Sequence, residues 1–133
     1  MFLTGEELRT HLRNENIAAI TRNDPVLIES AIDGAISEAE GYLAKFDTER
    51  IFSAVGDERN ALLLLFVKDL ATWHLIAVVN PNIELKHRKE RYDRAVEWLK
   101  AVQSGDITPK LPVATIDPGG TIWGSMTKTE NDW

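Results

Sequence analysis

An all-α fold, a bundle of about four helices followed by an extended arm rich in Pro, Gly and Thr, is what this sequence predicts. Apolar residues recur at intervals of three and four along several long stretches, and capping residues stand at the ends of those stretches. Helix-breaking residues crowd only the last part of the chain. The 133 residues suit one helical domain over 1–105 and an arm over 106–133. A chain of this length buries roughly two thirds of its unfolded surface, enough for a core without cross-links.

The first helix is announced by Thr4, a capping residue, with Glu7 three positions on, where the reciprocal carboxylate of a capping box belongs. Leu8 and Leu12 lie one turn apart, whereas Arg9, His11 and Arg13 are expected to face elsewhere. The helix should fade near Asn14–Asn16, with a further short turn over Ile17–Ile20. The second helix has a cap at Asp24 and Pro25 at its first position, where a missing N–H costs nothing. Its inward stripe is Ile28, Ile32, Ala35, Ala39, Tyr42 and Phe46, widened by Ile36 and Leu43. Ala35 and Ala39 are small enough for another helix to approach closely.

Asp47–Gly56 reads as a loop with Ile51, Phe52 and Val55 pinned to the body, and Gly56 or Asp57 as the cap of the third helix. Leu62–Val67 is apolar on every side, which predicts burial all round, in the core or between subunits. That helix continues through Leu70, Trp73, Leu75 and Ile76 and stops near Asn80–Pro81. The fourth begins after Asn82 and carries Leu85, Tyr92, Val96, Leu99 and Val102, with Ala95 and Trp98 beside them. Gly105 follows Ser104 in the usual place for a left-handed terminal residue. Beyond it, Pro109, Pro112, Pro118, Gly119 and Gly120 prevent a long helix, yet Ile122, Trp123 and Trp133 are apolar. This composition suits an arm with hydrophobic anchors, not a solvated linker.

Composition excludes several function classes. The 44% apolar and 27% charged residues are those of a globular protein. With no cysteine, disulfides, thiolate metal sites and cysteine nucleophiles are ruled out. The formal net charge of −6 is opposite to the basic excess of a free-standing nucleic-acid binder. The N-terminus has neither the basic start nor the apolar run of a signal peptide. Ala61–Val79 is interrupted by Lys68, Asp69 and His74, so a buried helix is expected there and no membrane span.

Motifs for chemistry are incomplete. Gly119 and Gly124-Ser125 have the spacing of a phosphate loop without its Lys, and Gly124-Ser125-Met126 does not complete a nucleophile elbow. Glu84-Leu85-Lys86-His87 matches half of a di-iron motif, but the second copy that such sites need is missing. His74, on an apolar helix, is expected to be a hydrogen-bonded core or interface histidine. The acid pairs Glu6-Glu7 and Glu38 with Glu40 have no companion base in sequence, and Glu6-Glu7 suits the positive end of a helix dipole. No catalytic residue, metal or cofactor is therefore assigned, and the chain is read as an interaction protein and not an enzyme.

Two charged faces are more informative. Glu29, Asp33 and Glu40 share one face of the second helix, and no Lys or Arg lies between Asp24 and Ala44. Lys86, Arg88, Lys89, Arg91 and Arg94 cluster on the fourth helix among Glu84, Glu90 and Asp93. Either both faces are simply solvated, or they are complementary surfaces of adjacent subunits. A third reading has the basic cluster meeting nucleic acid.

The chain resembles the head–tail connector, or head-completion adaptor, family of tailed bacteriophages, and more closely its branch in Mu-like prophages. The residues that carry the resemblance are Phe2-Leu3-Thr4 with Glu7-Leu8, Ile28–Ile36 leading to Glu40-Gly41-Tyr42-Leu43, Lys68–Ala71 with Trp73-His74-Leu75, and Glu90–Leu99 ending at Ser104-Gly105. Ile122-Trp123-Gly124-Ser125 is similar to the tail of that branch more loosely, and the Asp47–Gly56 loop lacks the proline-containing segment expected there. The resemblance implies a structural protein that links capsid to tail at the head–tail junction of the virion, assembled in the cytoplasm of the bacterial host. It implies a ring, commonly of twelve copies, beneath the portal protein and against a tail-side completion or stopper protein. Double-stranded DNA would pass through the channel without specific binding. On this reading Glu29, Asp33, Glu40, Lys86, Lys89 and Arg91, with the anchors Ile122, Trp123 and Trp133, are the candidate subunit or portal interface. The alternative is a small helical DNA-packaging or regulatory protein that binds nucleic acid through the basic cluster.

Overall fold

The computed structural model describes residues 2–14, 25–79 and 85–114. Its elements are α1 (Gly5–Asn14), α2 (Pro25–Tyr42), α3 (Thr48–Ser53), a 3-10 turn (Gly56–Glu58), α4 (Ala61–Val79) and α5 (Leu85–Ser104). The all-α expectation holds: among the described residues the only β pairing is an isolated antiparallel bridge between Phe46 and Val113.

Helix α4 is the hub. It packs against α2 on one side and α5 on another, and α1 lies across α2 and α4. Leu63, Val67, Leu70, Leu75 and Ile76 of α4 are fully or almost fully buried, with Ile28, Ile32, Ala35 and Ala39 of α2 and Ala95, Leu99 and Val102 of α5. Phe2, Leu3, Leu8 and Leu12 close one end of this core. Phe66 and Trp98 pack ring against ring at 5.2 Å, which joins α4 to α5. The zero exposure of Ala35 and Ala39 agrees with the close helix approach their size allows.

The capping box at α1 forms as the spacing predicts. Glu7 N–H donates to Thr4 Oγ1 at 3.1 Å, and Thr4 N–H donates to Glu7 Oε1 at 3.1 Å. Gly105 ends α5 with φ of +90°, a conformation that disfavours any side chain. None of the described helices is long and apolar enough to cross a membrane.

Several expectations need correction. The stretch read as a loop contains α3, capped by Asp47, whose carboxylate accepts from Arg50 N–H at 3.1 Å. Ile51 is buried and Phe52 half-buried against Phe2, but Val55 is exposed and pins nothing. Gly56 and Asp57 belong to the 3-10 turn and do not cap the long helix. That role falls to Asn60, whose Oδ1 accepts from Leu63 N–H at 3.0 Å. The periodic stripe of α2 also outruns its helix: α2 ends at Tyr42, and Phe46 reaches the core from the following turn. Burial of α4 on every side within its own chain is not observed, because Leu62 and Leu65 are exposed at 45% and 40%, so of the two expected settings the chain's own core does not account for them.

Of the arm, residues 106–114 are described. Leu111 is half-buried against the core, while Ile107 and Val113 are exposed. Backbone hydrogen bonds do most of the fixing. Asp47 N–H donates to the Pro112 carbonyl at 2.8 Å, and Ala114 N–H donates to the Lys45 carbonyl at 3.2 Å. Asn60 adds a side-chain bond to the Lys110 carbonyl at 3.3 Å. The anchors Ile122, Trp123 and Trp133, the short turn over Ile17–Ile20 and the cap Asp24 lie outside the described residues.

Candidate functional site

Three polar clusters sit between helices. The first clamps the N-terminal segment. Glu7, already in the capping box, receives a two-pronged ion pair from Arg59, with Nη1 on Oε1 and Nη2 on Oε2, both at 2.8 Å. The same guanidinium donates to the Phe2 carbonyl at 2.8 Å and, through Nε, to the Gly56 carbonyl at 2.9 Å. Arg59 thus ties Phe2, α1 and the 3-10 turn together. Its hydrogen bonds, more than any other influence, hold the Glu7 carboxyl down to about pKa 2, and those same bonds raise the Arg59 guanidinium.

The second cluster joins α2, α4 and α5. Glu38 sits between His74, whose Nε2 is 2.8 Å from Oε1, and Tyr92, whose hydroxyl donates to Oε2. Burial foremost, then the Glu38 carboxylate, pushes the Tyr92 phenol well above its usual range. Tyr92 also lies against Trp73, with ring centroids 5.6 Å apart. His74 is hydrogen-bonded and part-buried, as its setting on an apolar helix implies. Glu38, by contrast, has the companions that the sequence did not reveal.

The third cluster is His11 of α1 with Asp69 of α4. Its atoms approach to 3.7 Å, with side-chain exposures of 11% and 6%. His11 therefore faces the body and not solvent, a correction to the sequence reading. His11 Nε2 is buried without a hydrogen-bond partner.

The predicted interface residues fall on separate surfaces. Glu29, Asp33 and Glu40 are all exposed on one side of α2, and none forms an ion pair among the described residues. On α5, Lys89 pairs with Asp93 one turn away at 3.0 Å, and Arg91 is half-buried with an interaction of its own. The side chain of Lys86 lies outside the described residues. The fold therefore brings the three acids together as one face and does not hold the bases as an open basic strip.

Two concavities accompany these surfaces. One, of about 560 Å³, lies where Arg50, Glu58, Asn60 and Lys110 meet beside the arm. The other, of about 260 Å³, lies between α2 and α4 and is lined by Leu27, Ser30, Ala31, Gly34, His74 and Leu75. Among the described residues no group of three or more His, Asp or Glu side chains is placed to hold a metal ion.

The class defined by this fold and these surfaces is a small helical bundle whose polar clusters tie helices to one another, with segregated charge outside and a docked arm. Comparison with protein families is specific. The chain belongs to the family described as Bacteriophage Mu, Gp36, whose model matches residues 2–121. It is thus a protein of a Mu-like phage family, and the match extends through the described part of the arm. No curated protein and no solved structure matches the chain.

Proposed function

We propose that the protein is a structural head–tail connector of a tailed phage virion, forming a ring beneath the portal and linking capsid to tail. Membership of the Mu-like phage family over residues 2–121 is the observation that carries this reading. The surface supports it. The acidic face on α2 and the excess of bases over acids along α5 are compatible with head-to-tail contact between copies, in which charge sets register more than affinity. An overall charge of −6 suits a protein that surrounds passing DNA without gripping its phosphates. The arm is fixed on its own body as far as Ala114, and the apolar Ile122, Trp123 and Trp133 of its remaining sequence suit docking on a portal or tail-side partner.

The test is to mix purified protein with portal rings and sediment the mixture. Co-sedimentation in a fixed ratio is expected, and its absence would sink the assignment. DNA binding through α5 is the less favoured reading, because Lys89 is already neutralised by Asp93 and Arg91 is half-buried.

A further inference from the structure

We propose that the arm segment Lys110–Ala114 is exchanged between copies, each copy seating it on the body of the next. The inference rests on the ring reading above and names a contact that would join neighbours.

The body itself sets the conformation of the seat. Asp47 caps α3 and Asn60 caps α4, through bonds from Arg50 N–H and Leu63 N–H. Each cap still offers a donor, the Asp47 main-chain N–H and Asn60 Nδ2. These meet the carbonyls of Pro112 at 2.8 Å and Lys110 at 3.3 Å. The Lys45 carbonyl accepts from Ala114 N–H at 3.2 Å, and Phe46 and Val113 pair as an isolated antiparallel bridge. The seat thus takes an extended backbone through its main chain, with Leu111 as the apolar anchor against the core. What it takes is shown by the contact: this arm sequence, which every other copy carries. In the single chain the arm sits on its own body, and in an assembly the same bonds form one copy along.

The link between the arm and its own helix favours that exchange. Ile107 N–H bonds back to the Ala101 carbonyl at the end of α5, and Lys110 is already on the seat. Only Thr108 and Pro109 lie between these tethered points, and a residue before proline is held to extended backbone. Short links of this kind invite docking on a neighbour in place of docking within one chain. Pro109 and Pro112 also restrict the free arm, so little ordering is needed when it is seated elsewhere. Docking on its own body packs the arm lightly. Ile107 and Val113 stay exposed, and about 560 Å³ remains open where Lys110 and Leu111 pass Arg50, Ser53 and Glu58. A second body across the arm would cover such apolar groups. The exchange is head-to-tail, since each copy offers one arm and one seat, and it closes into a ring when the rotation allows.

The chain has no cysteine, so cross-linking sites can be placed at will. Lys45 and Ala114 stand side by side in the pairing. Full-length Lys45→Cys and Ala114→Cys proteins, differently tagged, are mixed at high concentration and joined with a short bis-maleimide. Mixed dimers are expected in clear excess over those of a control pair, Glu6→Cys with Ala114→Cys. Inserting Gly-Ser-Gly between Thr108 and Pro109 frees the arm to dock on its own body and should lower the yield roughly tenfold. Leu111→Asp in the Ala114→Cys copy removes the anchor and should lower it by about the same factor. Helical circular dichroism identifies any Leu111→Asp copy that fails to fold, and the insertion then decides alone. Mixed dimers no more abundant than the control, or a yield that the insertion leaves unchanged or raises, would overturn the proposal. Failure of the two readings is distinguishable. Arm-exchanged dimers without portal binding would defeat the connector assignment alone, whereas portal binding by a chain that never exchanges its arm would defeat this contact alone.

Discussion

Glu7→Gln isolates the ion pair that holds the N-terminal segment to the body. Glutamine can still serve as the third residue of a capping box, so α1 keeps its cap and loses chiefly the charge facing Arg59. The Glu7 carboxyl is lowered from 4.5 to about 2. At about 1.4 kcal/mol per unit, the full shift corresponds to roughly 3.4 kcal/mol. The Glu7 side chain is 33% exposed, and solvent screening reduces this to about 1.5–2 kcal/mol. The sign follows from the direction of the shift. As pH falls, the unfolded chain takes up its proton near 4.5 while the folded carboxylate resists until about 2. The contribution is thus complete above about pH 4.5 and is lost as pH falls toward 2. Urea unfolding of wild type and Glu7→Gln at pH 7 should differ by about 1.5–2 kcal/mol, and the gap should close as pH approaches 2. A gap below about 0.5 kcal/mol at pH 7, or one that persists undiminished near pH 2, would refute the reasoning.

Tyr92→Phe removes the hydroxyl that bonds Glu38 and should cost about 1–1.5 kcal/mol in urea unfolding. In a Tyr42→Phe background, ultraviolet titration should show Tyr92 still protonated above pH 10, until alkali unfolds the chain. Leu70→Ala empties the centre of α4 and should cost about 3 kcal/mol by the same assay. Gly105→Ala places a side chain at φ of +90° and should cost about 1–2 kcal/mol without altering helical content. Duplex DNA should not be retained by the purified chain in a low-salt mobility assay, and Lys89→Glu with Arg91→Glu should leave that result unchanged.

The long helices were legible because their signals are local. The Thr4–Glu7 capping box, Pro25 at a helix start and Gly105 at a helix end each act within one turn, and the stripes of α2 and α5 repeat often enough to fix a face. Helix α3 spans only six residues, too few for a period to show, and its cap Asp47 reads equally well as a turn residue. The start of α4 was misplaced because Gly56 and Asp57 resemble a cap, yet they serve a 3-10 turn first. The clusters were less legible because their partners are distant in sequence. Arg59 lies 52 residues from Glu7, and Glu38 lies 36 and 54 residues from His74 and Tyr92. Neither spacing nor composition marks such pairs. Only the packing of α2, α4 and α5 against one another brings the second set together. The acidic face of α2 was readable in full, since side chains on one helix keep their register wherever the helix is placed.

The most direct test of the connector assignment is electron microscopy of phage particles assembled with and without this protein. Its removal should yield DNA-packaging heads and complete tails that remain separate, and adding purified protein should join them. Normally tailed particles in its absence, or a defect confined to heads or to tails alone, would contradict the assignment.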